Sequence, residues 1–175
     1  MEQVILVDEQ NNQIGVADKE TVHTKDTPLH RAFSLFLFND KRQLLVTKRA
    51  LSKKTFPGVW TNSVCGHVAP GEETINAVKR RVQEELQIQV DDIHEVSPYR
   101  YRFADKNGII ENEICPIFIG FTNENPTLEK SEVEEYQWID WQKFLETILS
   151  HPGLYSPWCE EEAFILQRTN PELLG

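Results

Sequence analysis

The sequence predicts an α+β domain in which mixed β-sheets are flanked by helices. The order of its segments indicates this class, because strand-like apolar segments surround one helical segment and two more helical segments follow near the C-terminus. A second observation is the pair Asn107-Gly108 between two apolar segments, which is the strongest short-range signal of a β-hairpin. The length of 175 residues predicts a single domain, spanning residues 1–175.

Strands are expected throughout the first third of the chain. Asn39-Asp40-Lys41 is a turn signal that joins two apolar segments into a hairpin. Pro57-Gly58 interrupts regular structure just before a segment of mixed loop and strand. In order, the predicted elements are a strand at 4–7, a turn at 8–12, strands at 32–38 and 43–48, and the mixed segment at 59–67.

A helix is predicted over residues 73–86. Ile75, Val78, Val82 and Leu86 recur there at helical spacing and fall on one face. A stripe of this kind indicates packing against the core rather than a cofactor-binding surface.

The C-terminal half contains the predicted hairpin and two further helices. The segments on either side of its turn are expected to be two long antiparallel strands. Ser156 before Pro157 is typical of a helix start, since serine caps the helix and proline fits its first position. The predicted elements are strands at 93–105, 109–122 and 135–139, followed by helices at 140–150 and 157–168.

Composition and charge argue against several classes of function. A net charge of −10 does not suit a general nucleic-acid binder, which must neutralise many phosphates. No apolar run approaches the ~20 residues of a membrane span, and the N-terminus lacks the basic region of a signal peptide. Three cysteines without disulfide-like spacing predict free thiols and a cytoplasmic protein. The acidic runs at 132–135 and 160–162 are interpreted as solvated faces.

Two pairs of chemically active side chains have the spacing of residues on one face of a strand. Positions i and i+2 of a strand face the same side, so Cys65 and His67 share one face and Glu111 and Glu113 share another. A thiol, carboxylates and imidazoles together indicate proton transfer at a metal-supported site. A competing interpretation makes Cys65 and His67 zinc ligands, although neither of the other cysteines has the C-x2-C spacing of a structural zinc site.

The segment from Gly66 to Gln87 resembles the Nudix box, a loop–helix–loop that holds a divalent cation against a diphosphate. The usual motif is G-x5-E-x7-R-E-U-x-E-E-x-G-U, where U is aliphatic. Glu72 and Arg80 stand at the expected spacing, whereas Arg81 replaces an acidic residue and Gln87 replaces the late glycine. Losing one carboxylate favours diphosphate binding without cleavage over phosphate hydrolysis. The alternative is a surface helix on which Arg81 pairs with the carboxylate four residues later.

Flanking segments extend the resemblance to one family. They are RALSKK at 49–54, PGVWTNSVCGH at 57–67, YRY at 99–101, ENE at 111–113 and YSPW at 155–158. Together these segments resemble the type I isopentenyl-diphosphate isomerases of the Nudix superfamily, from about residue 4 to residue 170. The resemblance implies a Nudix-like layered α+β domain, with the mixed β-sheets flanked by helices.

The resemblance implies an isomerase of isoprenoid biosynthesis. It would interconvert isopentenyl diphosphate and dimethylallyl diphosphate by antarafacial allylic proton transfer through a carbocation-like intermediate. In this family pattern Cys65 and Glu113 are the acid/base pair, and the order of proton donation stays open. Tyr101 supports Glu113 by hydrogen bonding, and Trp158 stabilises the developing cation through its aromatic face.

The resemblance also implies two divalent cations. One site would hold Mn²⁺, and Mg²⁺ and Zn²⁺ are also compatible with its nitrogen and oxygen ligands. A second cation, Mg²⁺, would bind together with the substrate diphosphate and Glu85. The expected ligands of the first cation are His23, His30, His67, Glu111 and Glu113, and the expected contacts of the diphosphate are Lys19, Arg49, Lys53 and Arg81.

Two other functions stay open at this point. A Nudix-type pyrophosphohydrolase acting on a nucleotide or prenyl diphosphate would release phosphate or pyrophosphate. A non-catalytic diphosphate- or metal-binding module would bind its ligand without turnover. The expected partner is a small-molecule prenyl diphosphate, with no nucleic acid and no membrane. The sequence predicts no long exposed apolar helix face, so a monomer is expected, with a weak homodimer as the alternative.

Overall fold

The computed structural model describes residues 1–174, with side chains through residue 172. Within this range the chain forms eleven strands and five helices. The strands are β1 (Gln3–Val7), β2 (Gln13–Asp18), β3 (His30–Phe38), β4 (Gln43–Arg49), β5 (Trp60–Thr61), β6 (Val64–His67), β7 (Ile93–Ser97), β8 (Arg100–Ala104), β9 (Ile110–Ile114), β10 (Ile117–Phe121) and β11 (Val133–Asp140). The helices are α1 (Lys19–Val22), α2 (Thr74–Leu86), α3 (Trp141–Ser150), α4 (Pro157–Thr169) and α5 (Pro171–Leu174). None of the described helices is long and apolar enough to cross a membrane.

Strand β3 is the shared partner of most of the sheet. Its start pairs with β1 and runs parallel to β9, where His30 lies opposite Glu113. Its middle pairs antiparallel with β6, where Ser34 lies opposite Cys65, and parallel with β10. Its last residue, Phe38, pairs with β4, which pairs in turn with β11. This mixed pairing, with helices on both sides, confirms the predicted α+β class.

The two faces of β3 contribute to two different hydrophobic cores. Phe36 and Phe38 belong to the core that packs against α3 and α4. Leu35 and Leu37 belong to the core on the other side, with the apolar residues of α2. Alternate residues of a strand face opposite sides, so a strand covered on both faces is apolar throughout, as this one is. The sheet is therefore a central layer between helices.

Helix α2 confirms the helix predicted over residues 73–86. Val78 and Val82 are buried, as the apolar stripe requires, and the helix packs on β6. Gly66 of β6 permits this close approach, because a Cβ atom there would lie 2.9 Å from Arg81 Cγ and 2.9 Å from Phe33 Cζ. The glycine that begins the sequence motif thus serves helix–strand packing.

The predicted hairpin around Asn107-Gly108 is present, but the two long strands predicted at 93–105 and 109–122 are wrong. Each is split in two, because Pro98 separates β7 from β8 and Pro116 separates β9 from β10. Proline has no N–H to donate to a sheet, so pairing is interrupted at both positions. The break lets β9 pair with the start of β3 while β10 pairs with the rest of it.

Other elements show where the sequence signals were weak. The turn at 8–12, the strands at 4–7, 32–38 and 43–48, and the two C-terminal helices are confirmed within a few residues. Strand β11 is longer than predicted, and β2, α1 and α5 were not predicted. In β2 the exposed fraction is 69% for Ile14 and 42% for Val16, so the apolar residues of this strand do not mark a buried face.

A substitution at the end of α2 tests the motif's late glycine. Gln87 closes the helix in the left-handed conformation, with φ 54° and ψ 35°, which costs an L residue about 1–2 kcal/mol. Gln87→Gly is expected to raise the free energy of unfolding by about 0.5–1 kcal/mol, because this relief exceeds the entropy that glycine adds to the unfolded chain.

Urea denaturation measures this change. The matched control is Gln83→Gly, at an exposed position inside α2, which is expected to lower the free energy of unfolding by about 1 kcal/mol. A Gln87→Gly protein that is no more stable than the parent contradicts the explanation.

Candidate active site

A cavity of about 590 Å³ opens between α1, the segment after β4, β6, α2, the β8–β9 hairpin and α4. Nearly all the residues singled out from the sequence line it. They are Lys19, His23, Arg49, Lys53, Cys65, His67, Arg81, Tyr101, Glu111, Glu113 and Trp158. The two others lie just behind the wall, His30 against His67 and Glu85 against Arg81. The structure thus brings the predicted site residues to one place.

Strand register places the chemically active side chains. Ala32 of β3 lies opposite His67 of β6, and His30, two residues earlier, shares the face of Ala32. Glu113 of β9 lies opposite both His30 and Tyr101. The i, i+2 spacing recognised in the sequence therefore converges on one point because β6 and β9 share β3 as a partner.

Five side chains form a candidate metal centre, with one ligand atom of each lying within 4.8 Å of all the others. These are His23, His30, His67, Glu111 and Glu113. All are buried except His67, which is half-buried. The identities of these residues, three imidazoles and two carboxylates, match the expected ligand set.

The hydrogen bonding at this centre fits a bound cation. His30 Nδ1 lies 2.9 Å from Pro28 O, and a carbonyl can only accept, so Nδ1 carries hydrogen and Nε2 faces the centre. That Nε2 lies 3.2 Å from His67 Nε2 and 3.2 Å from Glu113 Oε1. His23 Nε2 has no hydrogen-bond partner among the described residues. Acceptor atoms at these distances need a proton or a cation among them.

The pKa values point the same way. Burial lowers the pKa of His67 to about 3, which leaves a neutral imidazole suited to metal binding. Burial also lowers the pKa of His30, but the hydrogen bond and charge of Glu113 outweigh it and raise that pKa overall. The raised pKa favours a proton on His30 when no cation is bound.

Glu113 belongs to both the metal centre and the cavity. Its Oε1 lies 3.0 Å from His67 Nε2, and its Oε2 accepts a hydrogen bond of 2.7 Å from the Tyr101 hydroxyl. Burial raises the pKa of Glu113, but the bonds to His30 and His67 prevail and hold it well below its usual range. Burial and the charge of Glu113 raise the pKa of Tyr101 well above its ordinary value, so it remains a donor. Glu113 is a carboxylate with one oxygen turned to the histidines.

Cys65 is half-buried on the cavity wall. Its thiol donates to Asn62 Oδ1 at 3.1 Å and lies 3.6 Å from the Ser34 hydroxyl. Burial raises the pKa of Cys65 to about 12. The site therefore holds a thiol and a carboxylate at the same cavity, one carrying its proton and the other ionised.

Aromatic rings form one wall of the cavity. Trp158 stacks on Tyr101 at 5.6 Å between ring centroids and meets Phe56 edge-to-face at 4.9 Å. It lies in the first turn of α4, where the Ser156 side chain accepts from the backbone N–H of Cys159 and so confirms the predicted helix cap. A ring face held in an apolar wall can stabilise a nearby cation.

Cations line the cavity as well. Arg81 binds Glu85 through Nε at 3.0 Å and Nη2 at 2.5 Å, and its Nη2 lies 3.2 Å from Glu132. Lys53 contacts the same Glu132 at 2.5 Å. Lys19 also lines the cavity. The Arg81–Glu85 pair of the surface-helix alternative exists, but it is buried in the cavity wall.

Two functional neighbours were missed from the sequence. Glu132 was interpreted as part of a solvated acidic run, yet it bridges Lys53 and Arg81; no local pattern could show this, because the contact depends on tertiary structure. Thr55 donates to Glu111 and accepts from Arg49 at 3.2 Å. Thr55 thus joins a candidate metal ligand to a candidate phosphate ligand.

In the second acidic run Glu161 is exposed, as predicted, but the interpretation is wrong for Glu162. Glu162 is fully buried, and neither carboxyl oxygen has a hydrogen-bond partner among the described residues. It follows Trp158 by one helical turn, so both lie on the inward face of α4. Burial raises the pKa of Glu162 well above its usual range, and the neighbouring Ser34 hydroxyl offsets this only in part.

The protein matches known families over most of its length. The family model for the NUDIX domain matches residues 28–159. The isopentenyl-diphosphate Delta-isomerase of Saccharopolyspora erythraea is 48% identical over 163 residues, covering 93% of this chain and 84% of that protein. The chain belongs to the isopentenyl-diphosphate Delta-isomerase family.

Further relatives agree with this family. The enzymes of that name from Corynebacterium glutamicum (strain R) and Salmonella typhi are 48% and 46% identical over 168 and 163 residues. Each comparison covers 93% of this chain and 89% or 90% of the relative. The predicted isopentenyl-diphosphate isomerase family and its NUDIX domain are therefore confirmed.

Solved structures confirm the fold alone. A Deinococcus radiodurans protein superposes with a TM-score of 0.73 at 19% identity, covering 97% of this chain and 99% of that one. A MutT protein from Methanosarcina mazei superposes with a TM-score of 0.67 at 22% identity, covering 82% and 96%. At such identities the isomerase assignment rests on the sequence relatives and the site.

Glu162 makes stability depend on pH. Above about pH 4.5 the unfolded chain ionises this residue while the folded protein keeps it protonated. The free energy of unfolding is therefore expected to fall by about 1.4 kcal/mol per pH unit from there up to the raised pKa of the folded state. Glu162→Gln removes this contribution, so it should be more stable than the parent at neutral pH.

Urea denaturation at a series of pH values measures the difference. The matched control, Glu146→Gln, replaces an exposed glutamate of α3 and should keep the parent's pH dependence. A constant difference between Glu162→Gln and the parent across this pH range would show that Glu162 is ionised in the folded protein.

Proposed function

We propose that this enzyme interconverts isopentenyl diphosphate and dimethylallyl diphosphate by antarafacial allylic proton transfer. The observation that carries the proposal is that the Cys65 thiol and the Glu113 carboxylate line one cavity together with aromatic rings and a group of cations. The names of the relatives support this pair of substrates. Moving a double bond by one position needs one group that gives a proton and another that takes one.

Cys65 and Glu113 are proposed as that acid/base pair. They differ in protonation at rest, because the thiol carries its proton and the carboxylate does not. Whichever alkene isomer binds, one proton is added to one terminal carbon of the allylic unit and another is removed from the other terminal carbon. Tyr101 keeps Glu113 oriented through its hydrogen bond to Oε2.

The intermediate of this reaction has a cation-like tertiary carbon. Trp158 is proposed to stabilise it through its ring face, which is worth on the order of 2 kcal/mol in a desolvated site. Trp158 and Tyr101 line the cavity, and Phe56 packs against Trp158. These apolar rings are proposed to keep out water, which would otherwise trap the cation as an alcohol.

Lys19, Arg49, Lys53 and Arg81 are proposed to bind the diphosphate. Arg81 stands where the NUDIX pattern has a carboxylate, and its planar guanidinium suits phosphate oxygens. Its bonds to Glu85 and Glu132 hold it at the cavity wall. Arg81 therefore removes a carboxylate that could bind a metal and adds a cation that can bind phosphate. Both changes favour binding of the diphosphate over its hydrolysis.

A divalent cation is proposed at the histidine centre, held by His23, His30, His67, Glu111 and Glu113. Mn²⁺ suits this set, and Mg²⁺ and Zn²⁺ are compatible with it. When bound, such an ion would offset the repulsion between the facing ligand atoms. A second ion, Mg²⁺, is proposed beside Glu85 with the diphosphate, where it would reduce the ligand's charge.

We further propose that residues 1–175 act as one domain and as a monomeric cytoplasmic enzyme that binds neither nucleic acid nor membrane. All three cysteines are free, which suits a reducing compartment. The net charge of −10 disfavours nucleic acid.

One assay tests the reaction. The enzyme is incubated with isopentenyl diphosphate, Mg²⁺ and Mn²⁺, and the products are separated. Dimethylallyl diphosphate without released phosphate is the expected result. Release of phosphate or pyrophosphate would instead identify a pyrophosphohydrolase, and binding of the substrate without any product would identify a non-catalytic module.

Two substitutions test the acid/base pair. Cys65→Ala and Glu113→Gln are each expected to lower kcat by about 10²–10⁴-fold, the usual contribution of a single general acid or base. Binding of inorganic pyrophosphate, measured by calorimetry, should persist because the cationic residues are unchanged. The matched control is Cys159→Ala, which removes a buried core thiol and should leave kcat intact. Near-parental turnover of Cys65→Ala would refute its role.

A further inference from the structure

Asn62 is a fully buried polar residue between β5 and β6 that the sequence analysis did not single out. Its Nδ2 donates to Leu35 O at 3.0 Å and to Val64 O at 3.1 Å. Backbone carbonyls can only accept hydrogen bonds. The orientation of the amide is therefore fixed, with Oδ1 pointing away from both carbonyls.

The fixed Oδ1 accepts hydrogen bonds from two cavity residues. The Cys65 thiol donates to it at 3.1 Å, and Trp158 Nε1 donates to it at 3.3 Å. Indole N–H is only a donor, and a carbonyl oxygen is only an acceptor, so neither partner can reverse its role. One atom thus joins the proposed acid/base thiol to the proposed cation-stabilising ring.

A third donor at Oδ1 does not compete with these two. Thr61 Oγ1 lies 2.9 Å from Asn62 Oδ1, but it also lies 2.8 Å from the Ser156 hydroxyl, which can accept instead. An amide oxygen has two lone pairs. These suffice for Cys65 and Trp158 when the threonine hydroxyl turns to Ser156.

The thiol has few other restraints. Cys65 turns about one side-chain bond. Among the residues that the structure describes, its only other hydrogen-bond neighbour is the Ser34 hydroxyl at 3.6 Å. That hydroxyl is also engaged with Cys115 Sγ at 3.3 Å. Asn62 is therefore the contact that can hold the sulfur in one rotamer.

We propose that Asn62 is a positioning residue that holds the Cys65 thiol and the Trp158 indole in one fixed relation across the cavity. This inference rests on the roles proposed above for those two side chains. The reacting carbon and the ring that stabilises its charge must keep a set distance and angle, and a displacement of about 1 Å can cost 10²-fold in rate. Asn62 acts on the reaction through these partners and does not line the cavity.

The first test is spectroscopic and needs no turnover. Raman spectroscopy records the S–H stretching bands, and the Cys65 band is the one that Cys65→Ala removes. In the parent protein this band is expected at the lower frequency of a hydrogen-bonded thiol. In Asn62→Leu, which is similar in size and has no acceptor, it is expected to shift to the frequency of a free thiol.

The second test is kinetic. Asn62→Leu is expected to lower kcat by about 10²-fold with little change in KM, because the residues proposed to bind the diphosphate are untouched. Calorimetry with inorganic pyrophosphate gives the fraction of protein molecules that can bind. A lower kcat can then be distinguished from a smaller amount of folded protein. The matched control, Thr61→Val, removes the third donor at Asn62 and should leave both the S–H band and kcat unchanged.

Each outcome has a definite meaning. A Cys65 band at the free-thiol frequency in the parent protein, or one that does not move in Asn62→Leu, overturns the proposal, as does an unchanged kcat. A free-thiol band in the parent protein overturns the proposal even if Asn62→Leu fails to fold. A parent enzyme that forms no dimethylallyl diphosphate would refute the proposed function, whereas the Raman bands would still report whether Asn62 holds the thiol.

Discussion

The contact between the side chains of His30, His67 and Glu113 is the interaction on which the rest of the site depends. Their facing atoms lie 3.0–3.2 Å apart in the interior. Lone pairs and a carboxylate charge at such distances repel unless a proton or a cation lies among them. A fold that brings these atoms together must hold them firmly, and the pairing of β6 and β9 to a common strand does so. Cys65 and Tyr101 reach the cavity because their strands are already held by this pairing.

The same constraint explains how one carboxylate serves two purposes. One oxygen of Glu113 faces the histidines and the other faces Tyr101. A proton or cation bound at the histidines therefore acts directly on the carboxylate that is proposed to exchange a proton. Cys65 reaches the cavity from β6, where burial keeps its proton in place. Their surroundings thus keep Cys65 protonated and Glu113 ionised at the same pH. Acid/base chemistry needs such a pair, in which one group holds a proton and the other does not.

The sequence predicted what depends on local spacing. The pairs Cys65/His67 and Glu111/Glu113 have the period of a strand, and the stripe of α2 has the period of a helix. Asn62, Glu132 and Glu162 escaped because their meaning is tertiary: an amide in a short connection, and two glutamates in runs that resemble solvated surface.

The errors have physical causes as well. Pro98 and Pro116 were visible in the sequence, but the strength of the Asn-Gly turn signal favoured uninterrupted strands. Strand β2 was missed because its apolar residues Ile14 and Val16 are exposed, so no buried face marks it. Backbone pairing, rather than hydrophobic burial, holds this strand against β1.

The central claim is that the histidines and glutamates, and not the cysteine, form the metal centre. X-ray absorption of the protein loaded with one equivalent of Zn²⁺ tests it most directly. The expected spectrum contains imidazole and oxygen ligands at about 2.0–2.2 Å and no sulfur. A sulfur ligand at about 2.3 Å would make Cys65 a zinc ligand and contradict the account.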